Sequence, residues 1–158
     1  MSTRDHEFTA FARARTPALY RSAWLLCGDK HTAEDLVQET LAKVYVAWRR
    51  SIDNPAAYAQ TTLVRTFISQ RRRRSSGELA YADLPDLPGA DTAAGSDLRL
   101  SLREALGSLT PTDRAVVVLR YLEDLPVEEV ASRLGLSAGA VKNRSMRALA
   151  RMREGSLS

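Results

Sequence analysis

The feature that most restricts the fold of this chain is the run from Pro126 to Arg144, which reads PVEEVASRLGLSAGAVKNR. Its first half carries apolar residues at helical spacing, Val127, Val130, Ala131 and Leu134. Gly135 follows where a helix is expected to end, and Ser137 stands where the next helix is expected to be capped. The run therefore predicts a helix-turn-helix unit whose first helix packs against Leu136, Val141 and Ala148.

The second helix of this unit divides its residues between two faces. One face carries Val141, Ser145, Ala148, Leu149 and Met152, and the other carries Lys142, Asn143, Met146, Arg147 and Ala150. An α-helix fits the DNA major groove, where Lys or Arg reads guanine, Asn reads adenine and an apolar side chain touches the thymine methyl group. We therefore expect base contacts from Lys142, Asn143, Met146 and Arg147, with Arg144 beside them on phosphate.

Two further helices are predicted before this unit, over residues 97–108 and 112–122, and they complete a four-helix module. Thr110 can cap the second of them, Pro111 suits its first position, and Asp113 can complete a capping box. Since no segment of the chain has the alternating pattern of a strand, the predicted fold class is all-α.

Charge divides the chain into three blocks. Residues 1–74 hold 13 Lys and Arg against 7 Asp and Glu, residues 75–98 hold none against 5, and residues 99–158 hold 10 against 7. The middle block also contains prolines and glycines without a sustained hydrophobic period, which is typical of a linker. The predicted architecture is two small helical domains, 1–74 and 99–158, joined by a flexible acidic linker over 75–98.

The N-terminal domain is predicted to begin with two helices. The first runs from about Asp5 to Cys27, with Pro17 expected to kink or interrupt it and Gly28-Asp29 to end it. The second is expected to begin with a capping box formed by Thr32 and Asp35, and its core stripe is Val37, Leu41, Val44 and Trp48. The opposite face mixes acidic and apolar residues, which suits either a docking surface or a plain exposed face: Asp35, Gln38, Glu39, Ala42 and Val46.

A third helix is predicted to start with Asn54 as its cap and Pro55 at its first position, with Ala57, Thr61, Val64 and Ile68 facing inward. Its other side combines an aromatic ring, hydroxyls and positive charge in Tyr58, Thr62, Arg65, Ser69 and Arg72. Stacking and cationic groups in one stripe are typical of proteins that hold unpaired bases. Phosphate contacts are expected from Arg71, Arg73 and Arg74, although a solvated helix end also accounts for these arginines.

Other classes of protein receive little support from the sequence. No window reaches the roughly 18 apolar residues of a membrane-spanning helix, so no membrane insertion and a cytoplasmic location are expected. His31, Glu34 and Asp35 could be imagined as metal ligands, but Glu34 and Asp35 diverge by about 100° on a helix and His31 is expected to precede the helix cap. No catalytic group, metal, cofactor or small-molecule substrate is predicted.

Taken together, these segments resemble the extracytoplasmic-function sigma factors of bacterial RNA polymerase, particularly their actinobacterial branch. The most specific stretch is LLCGDKHTAEDLVQETLAKVY, residues 25–45, followed by LTPTDR at 109–114 and the helix-turn-helix unit. The resemblance spans nearly the whole chain and implies that it is a sigma factor, with core RNA polymerase and promoter DNA as its partners.

The resemblance also implies roles for particular residues. The residues that match the family's polymerase-docking helix are Asp35, Gln38 and Glu39, so the mixed face that also carries Ala42 and Val46 is expected to bind core polymerase. The loop from Trp48 to Asn54 and the helix after it, with Tyr58, Thr62, Arg65 and Arg72, are expected to capture the melted minus-10 element. The last helix is expected to read the minus-35 element, and the acidic linker to thread toward basic channels of the polymerase.

One position departs from the family pattern, because Arg65 stands where asparagine is common. The resemblance therefore does not fix the minus-10 preference. Family members are often inhibited by anti-sigma factors, and no residue of this sequence identifies such a partner. The alternative function is a free-standing helix-turn-helix transcriptional regulator, which would need no polymerase-docking surface.

Overall fold

The computed structural model describes residues 2–50, 52–77 and 94–157. Within these residues the chain forms seven helices and no strand, as the all-α prediction requires. They are α1 (Thr3–Cys27), α2 (Lys30–Trp48), α3 (Pro55–Gly77), α4 (Ala94–Gly107), α5 (Pro111–Val117), α6 (Val127–Leu134) and α7 (Ala138–Leu157). No helix in the described part of the chain is both long and apolar enough to span a membrane.

The first helix is longer and more regular than the sequence predicts. It starts at Thr3, capped by Ser2, and it continues as one α-helix past Pro17 to Cys27. Pro17 and Arg13, four residues before it, are both exposed. The carbonyl that loses its helical partner therefore lies on the solvent side of α1, and the predicted interruption is wrong. Gly28 ends the helix as predicted, in the left-handed conformation with φ of 75°.

The start of α2 also differs from the prediction. Asp29 is the cap, and its Oδ2 accepts hydrogen bonds from the Thr32 backbone N at 2.9 Å and from Thr32 Oγ1 at 2.6 Å. Thr32 therefore lies inside the helix, and so does His31, which was expected to precede the cap. Both Asp29 and Thr32 are good capping residues. Asp29 is the cap because the left-handed Gly28 ends α1 directly before it, so α2 can begin at Lys30.

The third helix is buried on more sides than the sequence predicts. Asn54 caps it as expected, with Oδ1 accepting from the Ala57 backbone N at 3.2 Å. Of the four residues predicted to face inward only Val64 is fully buried, together with Ala59, Leu63, Thr66 and Phe67. Residues 75–77, which were assigned to the linker, continue α3, and residues 94–98 belong to α4.

The second helical unit agrees closely with the predicted module. Thr110 Oγ1 accepts from the Asp113 backbone N at 3.2 Å, Gly135 takes the left-handed conformation with φ of 68°, and Ser137 Oγ accepts from the Ala140 backbone N at 3.0 Å. Asp113 does not complete the predicted capping box, because its carboxylate points to α7. A π-helical turn, Val118–Leu122, extends α5 and leads into α6.

The two units pack against each other through one continuous apolar cluster. Arg114 is the central polar group of this contact: its Nη1 donates to the Leu26 carbonyl at 2.6 Å, and its Nη2 donates to the Leu109 carbonyl at 3.0 Å. Its guanidinium also lies 5.5 Å from the centre of the Phe67 ring. Burial lowers the pKa of Arg114 to about 10, which still leaves it charged at neutral pH. A buried cation thus joins α1 and α3 to α5.

Candidate nucleic-acid and docking surfaces

The outward arc of α7 is built as the sequence predicts. Val141, Ser145 and Ala148 are buried, and they fix the rotation of α7 against the rest of its unit. The opposite residues Lys142, Asn143, Met146 and Arg147 are all exposed. Met146 keeps 66% of its surface exposed, so its apolar tip is available for contact with another molecule.

An acidic residue that the sequence analysis assigned to capping lies beside this arc. Asp113 Oδ1 accepts from Arg144 Nη1 at 2.7 Å and lies 3.8 Å from Arg147 Nη2. The Asp113 side chain is only 11% exposed, whereas that of Arg147 is 63% exposed. The sequence does not predict this contact, because Asp113 and Arg144 are 31 residues apart and a capping box after Thr110 already accounts for an acidic residue at position 113.

The stripe on α3 is only partly free. Tyr58 is 41% exposed, and Thr62 Oγ1 donates to the Tyr58 carbonyl at 2.7 Å. Arg65 Nε donates to the Arg133 carbonyl at 2.6 Å, so the residue that departs from the family pattern contacts α6. Arg133 Nη1 in turn donates to Gln60 Oε1 at 2.5 Å. The first helix of the helix-turn-helix unit therefore lies against part of the stripe.

The arginines at the end of α3 are not equivalent. Arg72, Arg73 and Arg74 are exposed, whereas Arg71 is half-buried with its guanidinium 5.3 Å from the centre of the Phe67 ring. Burial lowers the pKa of Arg71. Arg71 therefore serves partly in packing, and the more accessible positive charges are those of Arg72, Arg73 and Arg74.

The loop between α2 and α3 is supported by an aromatic cluster from α1. The ring of Trp48 lies 5.4 Å from that of Phe8 and 5.1 Å from that of Phe11, measured between ring centres. Arg4 Nη1 donates to the Arg49 carbonyl at 3.2 Å. Trp48 is thus half-buried in this cluster, while Asn54, at the other end of the loop, uses its side-chain oxygen to cap α3.

The mixed face of α2 lies in the open. Asp35, Gln38, Ala42 and Val46 are exposed, and Val46 keeps 70% of its surface accessible. Glu39 is half-buried, with Oε1 accepting from Gln70 at 2.6 Å and Oε2 lying 3.5 Å from Lys43 Nζ. The predicted core stripe on the other side is packed, with Val37 and Val44 buried. The face therefore presents acidic and amide groups toward the start of α2 and an exposed valine near its end.

Among the described residues, no three His, Cys, Asp or Glu side chains lie close enough together to hold a metal ion. His31, Glu34 and Asp35 are each exposed on the first turns of α2. Cys27 is the single cysteine of the sequence, and burial raises the pKa of its thiol to about 12, which disfavours the reactive thiolate.

Comparison with known proteins matches both helical units. The Sigma-70 region 2 family matches residues 11–77, and the Sigma-70 region 4 family matches residues 99–152. The RNA polymerase sigma-E factor of Streptomyces coelicolor is 39% identical to this chain over 94% of it and 85% of that protein. The ECF RNA polymerase sigma factor SigE of Mycolicibacterium smegmatis is 34% identical over 90% of this chain and 58% of that protein.

A solved structure resembles the arrangement of both helical units. It is the sigma factor RpoE of Bartonella quintana in complex with the anti-sigma factor NepR, with a TM-score of 0.70 and 27% identity. The match covers 94% of this chain and 95% of that one, so it includes both helical units.

Proposed function

The chain belongs to the extracytoplasmic-function sigma factors, which bind core RNA polymerase and direct initiation at promoters, and from this premise we propose the surface that performs each step. The unit of α1 to α3, within residues 1–77, docks on the polymerase and captures the melted minus-10 element. The unit of α4 to α7, within residues 94–157, reads the minus-35 duplex. Residues 78–93, which lie outside the described residues, link the two units.

The docking surface is the mixed face of α2. Val46 and Ala42 can bury apolar area on a partner, while Asp35 toward the start of the same face selects a basic surface. Glu39 contributes through the carboxylate that Gln70 and Lys43 hold in place.

The minus-10 surface is the exposed side of α3 together with the loop before it. Tyr58 offers a ring for stacking, and Thr62, Arg65 and Arg72 line the same side. Trp48 and Asn54 shape the ends of the loop, as their packing and capping contacts indicate. Arg73 and Arg74 contact phosphates. Arg71 contributes through the accessible part of its guanidinium, because the rest packs on Phe67.

The minus-35 surface is the outward arc of α7, and its exposure is the observation that carries the proposal. Lys142, Asn143, Met146 and Arg147 combine the donors, acceptor and apolar tip that distinguish base pairs in the major groove. Arg144 differs from them because Asp113 already engages its guanidinium.

The chain supplies binding groups, and nucleotide addition belongs to the polymerase. We further propose that it needs no cofactor or small-molecule substrate, and that it acts in the cytoplasm, where polymerase and DNA meet. An anti-sigma factor is a further proposed partner, since the similar sigma factor RpoE was solved bound to one.

Reconstituted transcription tests this function. The full chain is added to Streptomyces core polymerase on a library of linear templates with randomised upstream and downstream promoter elements. We expect transcripts from a subset of templates that share one upstream and one downstream sequence, and only when the chain is present. Arg147→Ala should remove the preference at one upstream base without removing the downstream one.

A free-standing regulator predicts a different outcome. Such a protein would bind duplex DNA without polymerase, and core enzyme mixed with the chain would start no transcript on any template. The match of residues 11–77 to Sigma-70 region 2 weighs against this alternative, because a free-standing regulator needs no such unit.

A further inference from the structure

The carboxylate of Asp113 contacts two arginines of α7, and the proposed function gives it no role. It stands in the first turn of α5, where its backbone N donates to the cap Thr110 at 3.2 Å. This anchoring directs the side chain toward α7, and only 11% of the side chain remains exposed. A carboxylate so placed lies close to where the proposed DNA phosphates and bases would lie.

Two arginines of α7 share one oxygen of this carboxylate. Arg144 Nη1 makes a charge-assisted hydrogen bond at 2.7 Å, whereas Arg147 Nη2 lies at 3.8 Å, within ion-pair range and beyond hydrogen-bond range. The Arg144 side chain is 32% exposed and that of Arg147 is 63% exposed. Arg144 is therefore bound by Asp113. Arg147 is drawn toward the same carboxylate but keeps its N–H groups available for another partner.

We propose that Asp113 is a positioning residue that increases sequence selectivity by holding Arg144 away from DNA phosphates and orienting Arg147 for base contact. This inference rests on the proposed reading of minus-35 duplex by α7. A phosphate contact strengthens binding to every sequence, whereas a guanidinium directed at a base strengthens binding to one. Asp113 pairs with Arg144 and restricts Arg147. It therefore lowers the affinity for DNA of any sequence relative to the affinity for the preferred sequence.

For Asp113→Asn we expect tighter but less selective DNA binding. The neutral amide has the same size and retains the backbone bond to Thr110, but it releases Arg144 to contact a phosphate. Binding of holoenzyme to a mixed-sequence duplex should therefore become tighter, and its salt dependence steeper by about 0.9 in log–log slope, the contribution of one phosphate contact. The preference at the base read by Arg147 should fall severalfold.

The experiment uses holoenzyme reconstituted from the full chain and Streptomyces core polymerase. The probes are a duplex library randomised over the upstream element and one mixed-sequence duplex, each measured over a series of salt concentrations. Glu104→Gln is the matched control, because it removes one exposed carboxylate of α4 and changes the net charge equally. Asp113→Glu, which keeps the charge, should retain the wild-type slope.

A double-mutant cycle separates positioning from general stability. In an Arg144→Gln background, Asp113→Asn should no longer change the slope, because the released arginine is absent. If Asp113 only stabilised α5, Asp113→Asn would weaken binding to all duplexes and leave the slope unchanged, and the proposal would be wrong. The same slope change with Glu104→Gln would also overturn it, since net charge alone would then be the cause.

A second variant leaves Asp113 intact. Arg144→Gln frees the carboxylate to bind Arg147 fully, so the base preference at that position should fall, and an unchanged preference contradicts the proposal. A wild-type holoenzyme without any upstream duplex preference would instead refute the proposed function of α7.

Discussion

At the scale of single residues, Gly135 and Gly107 both have room for a Cβ atom but differ in backbone conformation. Gly135 has φ of 68°, and Gly107, the last residue of α4, has no positive φ; an added Cβ would meet no atom within 4 Å at either position. The left-handed conformation disfavours side chains, so Gly135→Ala should destabilise the protein by about 1–2 kcal/mol.

Gly107→Ala is the control, and it should leave stability unchanged or raise it by up to about 1 kcal/mol, since alanine favours helix over glycine. Equilibrium denaturation of both variants measures the difference. Equal destabilisation at the two positions would mean that the turn of the helix-turn-helix unit does not require its left-handed residue.

The cap of α2 gives a prediction with a defined pH dependence. Hydrogen bonds from Thr32 lower the pKa of Asp29, so its ionised form stabilises the folded chain. Because the folded pKa is the lower one, this contribution is complete above the unfolded pKa of about 3.9 and is lost as the pH falls through the folded value.

Asp29→Ala should cost about 1 kcal/mol at neutral pH. Asp29→Asn keeps a capping oxygen but not the charge, so its difference from wild type should shrink as the pH drops below about 4. Urea denaturation at pH 7 and pH 3 tests this, and a difference that grows at acid pH would contradict the assignment of Asp29 as the cap.

At the scale of elements, α7 and the end of α3 should respond differently to the loss of one arginine. Arg147→Ala should cost about 1–3 kcal/mol of promoter binding, confined to one upstream base position. Arg74→Ala should weaken binding to all sequences and make the salt slope shallower by about one. Arg74 is chosen instead of Arg71 because Arg71 packs on Phe67.

Binding titrations on matched and substituted promoters, each at several salt concentrations, measure both effects. An equal loss on every sequence for Arg147→Ala, or an unchanged slope for Arg74→Ala, would contradict the role proposed for that arginine.

The sequence predicts elements well where their signals are local. Thr110, Gly135 and Ser137 act within a few residues, and the structure confirms all three. Prediction fails where distant residues decide the outcome. Asp113 turns to α7 across 31 residues, and Phe67 is buried against Arg114, so neither contact follows from helical spacing. Pro17 is tolerated inside α1 for a similar reason, because α1 packs along α2 and leaves the proline in solvent.

At the scale of the whole molecule, the packed arrangement is too short to contact both promoter elements. A compact chain of 158 residues has a radius of gyration of about 15 Å, hence a diameter of about 40 Å. Elements about 25 base pairs apart lie roughly 85 Å apart on B-DNA. We therefore expect the bonds of Arg114 to Leu26 and of Arg65 to Arg133 to break when both proposed DNA surfaces occupy a promoter.

Energy transfer between labels tests this separation. With Cys27 replaced by alanine, exposed Arg50 and Arg151 are changed to cysteine and labelled as a donor–acceptor pair. Transfer should be efficient in the free chain and fall strongly in the holoenzyme–promoter complex. Equal transfer in both states would mean that the two units remain packed during promoter recognition.

The most direct test of the whole account is binding to core RNA polymerase, since that step separates a sigma factor from a free-standing helix-turn-helix regulator. The full chain should coelute with Streptomyces core enzyme in gel filtration. The double variant Asp35→Lys and Val46→Glu changes two exposed residues of the α2 face, and it should keep its circular dichroism spectrum but lose the complex. Glu104→Lys, an exposed change on α4, should bind like wild type. A wild-type chain that elutes apart from core enzyme would contradict the account.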